Sequence, residues 1–458
     1  MQQNQRMPAG AEQLVMPSGP MRTYGGVHLP HLKGTAERET EILPLPERVY
    51  IAMSQHIGAP CEPTVAVGDT VAVGQPVGTS GAFMSVPVHS SVSGKVTAIK
   101  EILMPSGQKN KVLEIEADGL QTMWSEIKPP VVNNAADLSA AAKACGLVGL
   151  GGAGFPAHVK LSVPDGKRLD TLVLCGAECE PYLTSDYREM IEGAEDILDG
   201  IFTIKRLLKL ERAIIGIEAN KPEAIRLLGS MLESDERNAD GSVGVLRLKE
   251  SYPQGAEKVL IQAATGRRVP KGKLPADVGV LVMNVTTTAV LARYLRDGVP
   301  LINKRVTVDG SAIVEPKNVI VPIGTPLSDI IDFCGGYRSE PRKMIQGGPM
   351  MGFTLCDEDY PVLKQCNGYV IMAAEDVKEE ETTECIRCGR CAAACPMHLQ
   401  PYRFENLVNK KDVDALGSRS VMSCIECGSC AFVCPAHRRL VQYMRLGKNI
   451  IRKAGDKK

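Results

Sequence analysis

What this chain lacks narrows its roles before any motif is read. Across 458 residues it carries no net charge, because 53 lysines and arginines face 53 aspartates and glutamates. A nucleic-acid binder would show a basic excess, so that class has no support. No run of about 18 apolar residues occurs, the length a membrane-spanning helix needs. The closest stretch, 278–292, is broken by Asn284 and three threonines. The first twenty residues are polar and hold no apolar core of signal-peptide length. The expectation is a chain with no direct transmembrane segment, in a reducing compartment. There the fifteen cysteines point to metal rather than disulfides, since eight of them fall in two tight clusters. The length predicts about three domains, and 44% hydrophobic content is ordinary for globular cores.

Those clusters are the strongest pattern present. Cys385-x2-Cys388-x2-Cys391-x3-Cys395-Pro396 is followed by Cys424-x2-Cys427-x2-Cys430-x3-Cys434-Pro435. Each cysteine of the second run lies 39 positions after its counterpart (385 to 424, 388 to 427, 391 to 430, 395 to 434). This is the spacing of bacterial two-cluster ferredoxins, in which three thiolates of one run and the fourth of the other surround each [4Fe–4S] cubane. One cluster is therefore expected on Cys385, Cys388, Cys391 and Cys434, the other on Cys424, Cys427, Cys430 and Cys395. Zinc also favours C-x2-C, but structural zinc sites pair two separate knuckles and need no fourth cysteine with a trailing proline.

The rest of the chain predicts a multidomain α/β protein. Residues 1–44 form an extended lead segment containing Gly25-Gly26-Val27-His28-Leu29-Pro30. In 45–120, short valine-rich runs broken by Gly-Asp and Gly-Gln turns predict an all-β unit. It resembles a lipoyl-type barrel-sandwich, but the hairpin tip reads Gly81-Ala82-Phe83-Met84-Ser85. With no lysine to carry a cofactor, a structural or docking role is expected. Across 125–300, helices at 137–145 and 194–210 alternate with strands at 171–174, 213–217 and 279–283, as in an α/β layer. Residues 303–352 return to β character around one helix at 327–333, a β-grasp-like outline. A linker is expected over 353–380, then a cysteine-dense, helical ferredoxin-like domain over 381–458.

Gly149-Leu150-Gly151-Gly152-Ala153-Gly154 matches G-x-G-x-x-G. A Rossmann fingerprint must follow a strand and open a helix, whereas here a helix precedes and Phe155-Pro156 follows. The longer string GLVGLGGAGFPAHVKL nevertheless suits phosphates: glycines admit close backbone approach, Lys160 adds charge and Phe155 a stacking face. A tight structural turn is the alternative. Glu178 and Glu180, just after the strand at 171–174, lie where open α/β sheets place ligand groups. Tyr252-Pro253-Gln254-Gly255-Ala256-Glu257 and Asn284-Val285-Thr286-Thr287 are ordinary as isolated strings.

Taken together, GGVHLP, the β sandwich, GLGGAGFPAHVKL, AECEPYLTSD and the paired cysteine runs resemble the C subunit of the membrane-bound Rnf complex, an NADH:ferredoxin oxidoreductase. The middle half also resembles the flavin- and NADH-binding subunit of respiratory complex I. The resemblance implies FMN, NADH as substrate and two [4Fe–4S] clusters. It implies membrane-integral and ferredoxin-like partner subunits, coupled ion transport and a peripheral place on the cytoplasmic face. By the same likeness, Gly149, Gly151, Gly152, Gly154 and Lys160 would hold FMN and NADH phosphates, and Phe155 would stack on adenine. Glu178 and Glu180 would line the nicotinamide–flavin pocket, and Tyr252, Gly255 and Glu257 its opposite wall. Asn284 and Thr287 would lie on the FMN phosphate side. Cys175, Ala177 and Val163 depart from that family, which has asparagine, aspartate and an aromatic there. Two rivals carry over: a soluble flavoprotein resembling the cobalamin reductase of propanediol utilisation, and a non-catalytic electron wire without flavin.

Overall fold

The computed structural model describes residues 16–455 apart from 18, 20, 22, 23, 105, 106, 165 and 379. The start of the lead segment and one position of the acidic run at 375–381 lie outside these. The protein is a mixed α/β assembly of several packed units.

The N-terminal unit holds two small sheets. One has the order Arg48–Ala52, Lys109–Ala117, Gly94–Leu103, Thr70–Val71; the other pairs Pro76–Thr79 with Glu62–Pro63 and Val88–His89. Alternation along the strands sends Val49, Ile51, Val96, Leu113 and Ile115 into one shared core, as a period of two requires.

The central unit is a four-stranded parallel sheet with the order Val243–Leu248, Arg212–Glu218, Thr171–Gly176, Val280–Asn284. Leu172, Leu174, Ile215, Leu281 and Met283 pack on one face, against the helices Ala194–Leu207 and Val285–Asp297. Val173, Ile214, Val280 and Val282 pack on the other, against Glu257–Thr265. A parallel sheet covered on both faces explains why its strands read as continuous apolar runs. Chain order reverses between Thr171–Gly176 and Val280–Asn284, so the crevice beyond their carboxyl ends is a topological switch point. Asn284, which broke the longest apolar stretch of the sequence, caps the helix Val285–Asp297 by accepting from the Thr287 backbone N–H at 3.1 Å. It turns a buried strand directly into a helix.

A six-stranded mixed sheet follows, with the order Glu41–Ile42, Lys317–Pro322, Asn303–Asp309, Gly368–Ala373, Pro341–Gln346, Phe353–Leu355, and the helix Leu327–Phe333. Here the span 353–380 departs from the linker expected of it. Gly368–Ala373 is a central strand, paired parallel to Asn303–Asp309 and antiparallel to Pro341–Gln346. Its apolar run Tyr369-Val370-Ile371 is fully buried, but on sequence it was overshadowed by the charges that follow. The lead segment also adds an edge strand to this sheet, and Met21 forms a bridge to Leu248 on the central one.

The C-terminal unit is built from short helices closed by Leu440–Gly455. Its two cysteine runs repeat in backbone as well as in sequence. Arg387, Gly389 and His398 share positive φ with Glu426, Gly428 and His437, each pair 39 positions apart. In both runs the glycine immediately precedes a four-residue helix, Arg390–Ala393 or Ser429–Phe432.

Candidate functional site

The glycine loop lies against the switch point. The Gly149 N–H donates to the Phe155 carbonyl at 2.8 Å and closes the loop. The Leu150 N–H donates to Thr287 Oγ1 at 2.9 Å, fixing the loop over the helix that Asn284 caps. A Cβ on Gly151 would lie 3.2 Å from Asn284 Nδ2, whereas one on Gly152, at φ +112°, would meet nothing within 4 Å. Residues 151–153 are exposed. The loop is thus anchored on one side and open on the other, as a phosphate cradle must be. Phe155 is half-buried beside it. Lys160 Nζ donates to Glu257 Oε1 at 2.7 Å and to the Val282 carbonyl at 3.2 Å. Lys160 and Glu257 therefore act as a neutralised pair rather than as separate charges.

The acidic loop splits in two. Glu178, at φ +47°, accepts from the backbone N–H groups of Asp186 (2.7 Å) and Tyr187 (3.0 Å), capping the helix Ser185–Glu192. Burial raises its carboxyl to about 7 despite the nearby Lys33. Glu180 bridges two walls: Oε1 accepts from the Tyr252 hydroxyl at 3.2 Å and Oε2 from the Met350 N–H at 3.0 Å. Burial pushes its carboxyl up, while the Met350 and Tyr252 hydrogen bonds act against that rise. Gly255 packs on Ala177 and Cys175, whose thiol donates to the Gly255 carbonyl at 3.4 Å.

Sequence reasoning missed Asp186 and Lys33. Asp186 is buried and accepts from Asn284 Nδ2 at 2.7 Å and from Thr286 Oγ1 at 2.6 Å, tying the acidic loop to the glycine-loop side. Lys33, from the lead segment, donates to the carbonyls of Glu178 (2.9 Å), Glu180 (2.8 Å) and Leu183. Burial lowers its ammonium to about 8. A signal for Asp186 lay in its place at the end of AECEPYLTSD, where no role was given to it; Lys33 offered none.

In the C-terminal unit Cys395, Cys424, Cys427 and Cys430 line one cavity, with Leu399, Val441 and Met444. This is one run's three leading cysteines plus the fourth of the other. Among the described residues no three His, Cys, Asp or Glu side chains converge as a single metal ion would need; these four cysteines share the lining of one cavity. Backbone N–H groups point at two of them, Leu399 to Cys395 Sγ at 3.4 Å and Glu426 to Cys424 Sγ at 3.3 Å. Burial pushes the Cys424 thiol up to about 11, and those of Cys395 and Cys430 upward as well. Such sulfurs keep their protons unless metal displaces them. Of the other four, Cys391 and Cys434 share an apolar patch with Tyr402 and Leu440, while Cys385 and Cys388 are exposed. The donor chemistry of four cysteines lining one cavity fits a cubane.

Comparison with known proteins identifies what this arrangement belongs to. Over 94% of its length the chain is 44% identical to the C subunit of the proton-translocating ferredoxin:NAD+ oxidoreductase complex of Clostridium ljungdahlii, covering 94% of that protein. It is 46% identical to the Na+-translocating counterpart of Acetobacterium woodii, over 93% of this chain and 96% of that one. The chain belongs to the family of these C subunits. The C subunit of the ion-translocating oxidoreductase complex of Rhodobacter capsulatus is 38% identical over 87% of the chain and 77% of its own length. Family models agree unit by unit. The RnfC barrel sandwich hybrid domain matches 21–120 and the Nuo51 FMN-binding domain 142–293. The SLBB domain matches 305–354 and the 4Fe-4S dicluster domain 384–438. The first match takes the lead segment from residue 21 together with the β sandwich.

Proposed function

We propose that the chain is the NADH- and flavin-handling electron-transfer subunit of an ion-translocating ferredoxin:NAD+ oxidoreductase complex of the Rnf type. The observation that carries this reading is one chain holding both a switch-point crevice with an open glycine loop and a four-cysteine cavity. Bound FMN would supply the conversion between the two electrons of a hydride and the single electrons an iron–sulfur cluster accepts. The chain's own residues place the reactants. Gly149, Gly151, Gly152 and Gly154 bring backbone N–H groups to phosphate, and Lys160 supplies charge balanced by Glu257. Phe155 offers a face to adenine. Asn284 and Thr287 hold the loop's far side, and Glu180, Tyr252 and Gly255 form the opposite wall. Glu178 acts by fixing the helix that begins at Ser185.

Cys385, Cys388, Cys391 and Cys434 would hold one [4Fe–4S] cluster and Cys424, Cys427, Cys430 and Cys395 the other. The six-stranded sheet with its helix serves as a β-grasp docking unit, and the lysine-free sandwich as a second. The partners are membrane-integral and ferredoxin-like subunits, reached from the cytoplasmic face. Relatives that move protons and relatives that move sodium are similar to this chain to nearly the same degree, so the choice of ion belongs to the partners.

Anaerobic purification followed by FMN and iron counting, then NADH addition, tests the reading. Flavin bleaching should precede an iron–sulfur EPR signal. Replacing Cys434 with alanine should damage the cluster of Cys385, Cys388 and Cys391; loss confined to the cluster of Cys424, Cys427 and Cys430 would refute the cross-ligation. The electron-wire alternative draws on Cys175, whose thiol is turned to the Gly255 carbonyl and pushed by burial to about 12. It predicts protein that retains no FMN and is not reduced by NADH.

A further inference from the structure

Between Val27 and Lys33 the lead segment touches both walls of the nucleotide crevice. On one wall, Val27 exchanges backbone hydrogen bonds with Tyr252 at 2.8 and 2.9 Å. On the other, the His31 carbonyl accepts from the Tyr182 N–H at 3.2 Å, and Lys33 Nζ donates to the carbonyls of Glu178, Glu180 and Leu183. Past the lysine the segment is pinned again. Thr35 is fully buried and shares a 2.6 Å hydrogen bond with Thr184 Oγ1, while its carbonyl accepts from Asn318 Nδ2 at 2.9 Å. Lys33 thus reaches into the acidic loop from between two fixed points.

An ammonium carries three donors and no acceptor, and the three carbonyls match them one for one. No donor is left over to meet a substrate. The pairing offsets the hydration lost when the charge is brought inside. A second buried lysine holds the same loop from the sheet side: Lys221 Nζ donates to the Ala177 carbonyl at 2.6 Å and to Glu218 Oε2 at 3.3 Å. Lys221 and the loop both belong to the central unit, whereas Lys33 comes from outside it. Glu180 is where this matters. Its carbonyl is held by Lys33 at 2.8 Å, while its carboxylate accepts from the Tyr252 hydroxyl and the Met350 N–H. Fixing the Glu180 backbone therefore fixes the side chain that spans the two walls. We propose that Lys33 is a positioning residue for the nucleotide crevice, a cation tethered by the lead segment that holds the acidic loop opposite Tyr252. The proposal rests on the nucleotide reading above. Without the ammonium the three carbonyls lose their common donor, the loop relaxes away from Tyr252, and the crevice loses its fit to NADH.

The test uses the full chain with its cofactors and follows NADH oxidation by ferricyanide reduction. Lys33→Met keeps the length of the side chain and removes its donors. It should raise KM for NADH roughly tenfold and leave kcat within about twofold, the signature of binding lost equally from ground and transition states. FMN and iron contents should match those of the unmodified protein. Lys33→Ala makes room for a free cation, so methylammonium chloride should bring its KM back toward the unmodified value. Tetramethylammonium chloride at equal concentration has no N–H and should not. Where these variants lose FMN or iron, Lys33→Gln, which keeps an amide donor, replaces them and should show a smaller rise in KM. An unchanged KM, with or without a lower Tm, makes Lys33 a structural anchor only and overturns the proposal, as does equal rescue by the two salts. If the unmodified protein holds FMN yet reduces no ferricyanide with NADH, the nucleotide reading fails and the role of Lys33 with it.

Discussion

At the scale of single residues, Gly152 offers the sharpest prediction. Its φ of +112° is strained for any side chain, yet a Cβ there meets no atom within 4 Å. Gly152→Val should therefore cost on the order of 1–3 kcal/mol of local strain and leave the fold standing. What it fills is the open side of the loop, where a phosphate would approach. The variant should assemble both clusters and lose flavin bleaching by NADH. Normal bleaching with normal FMN content would make the loop a structural turn. The cysteine runs were legible in sequence because the pattern is local: three cysteines within seven residues already mark it. Glu178 was legible only as an acid near a strand end. Its work as a helix cap depends on a helix starting at Ser185, which its own string does not announce. Asp186 went unread for a related reason, since its partners Asn284 and Thr286 arrive about a hundred positions later.

Among the elements, three of the four strands of the α/β sheet announced themselves as buried apolar runs, and Arg212–Glu218 and Val280–Asn284 fall within a residue of where the pattern predicted them, while the edge strand Val243–Leu248 went unread. Gly368–Ala373 did not, because a central strand can come from far along the chain and pattern alone does not say which sheet it joins. That strand pairs Val370 with Asp309, and the pairing buries a carboxylate. Asp309 Oδ1 accepts from the Gly310 N–H at 2.7 Å while Oδ2 has no partner, and burial raises the carboxyl from 3.8 to about 6. A raised carboxyl contributes stability below its unfolded value and loses it as pH climbs through the folded one. Relative to wild type, Asp309→Asn should thus gain roughly 3 kcal/mol between about pH 4 and pH 8, since asparagine keeps the Gly310 contact without ionising. Denaturant midpoints of both proteins across that range would check it. A constant difference would mean the carboxyl titrates elsewhere.

For the whole molecule, the four units and their order were readable, because each carries its own pattern of turns, glycines or cysteines. How they are fastened was not. The lead segment reads as loose chain, yet it pairs with Leu248 and Tyr252, donates to Ala394 and adds a strand beside Lys317–Pro322. Contacts of that kind come from backbone groups and single side chains such as Lys33, which leave no periodic trace. One consequence concerns membrane attachment. Among the described residues no helix is long and apolar enough to cross a bilayer. The helix Leu440–Gly455 turns Leu440, Val441 and Met444 inward, so its apolar side is already committed to the cluster unit. The proposed attachment is through protein contacts, with the β sandwich and the mixed sheet as the docking surfaces. Membranes from cells with the full complex should retain the chain at low salt, and membranes lacking the integral subunits should release it to the soluble fraction. If it sedimented equally with partner-free membranes, lipid rather than protein would be holding it.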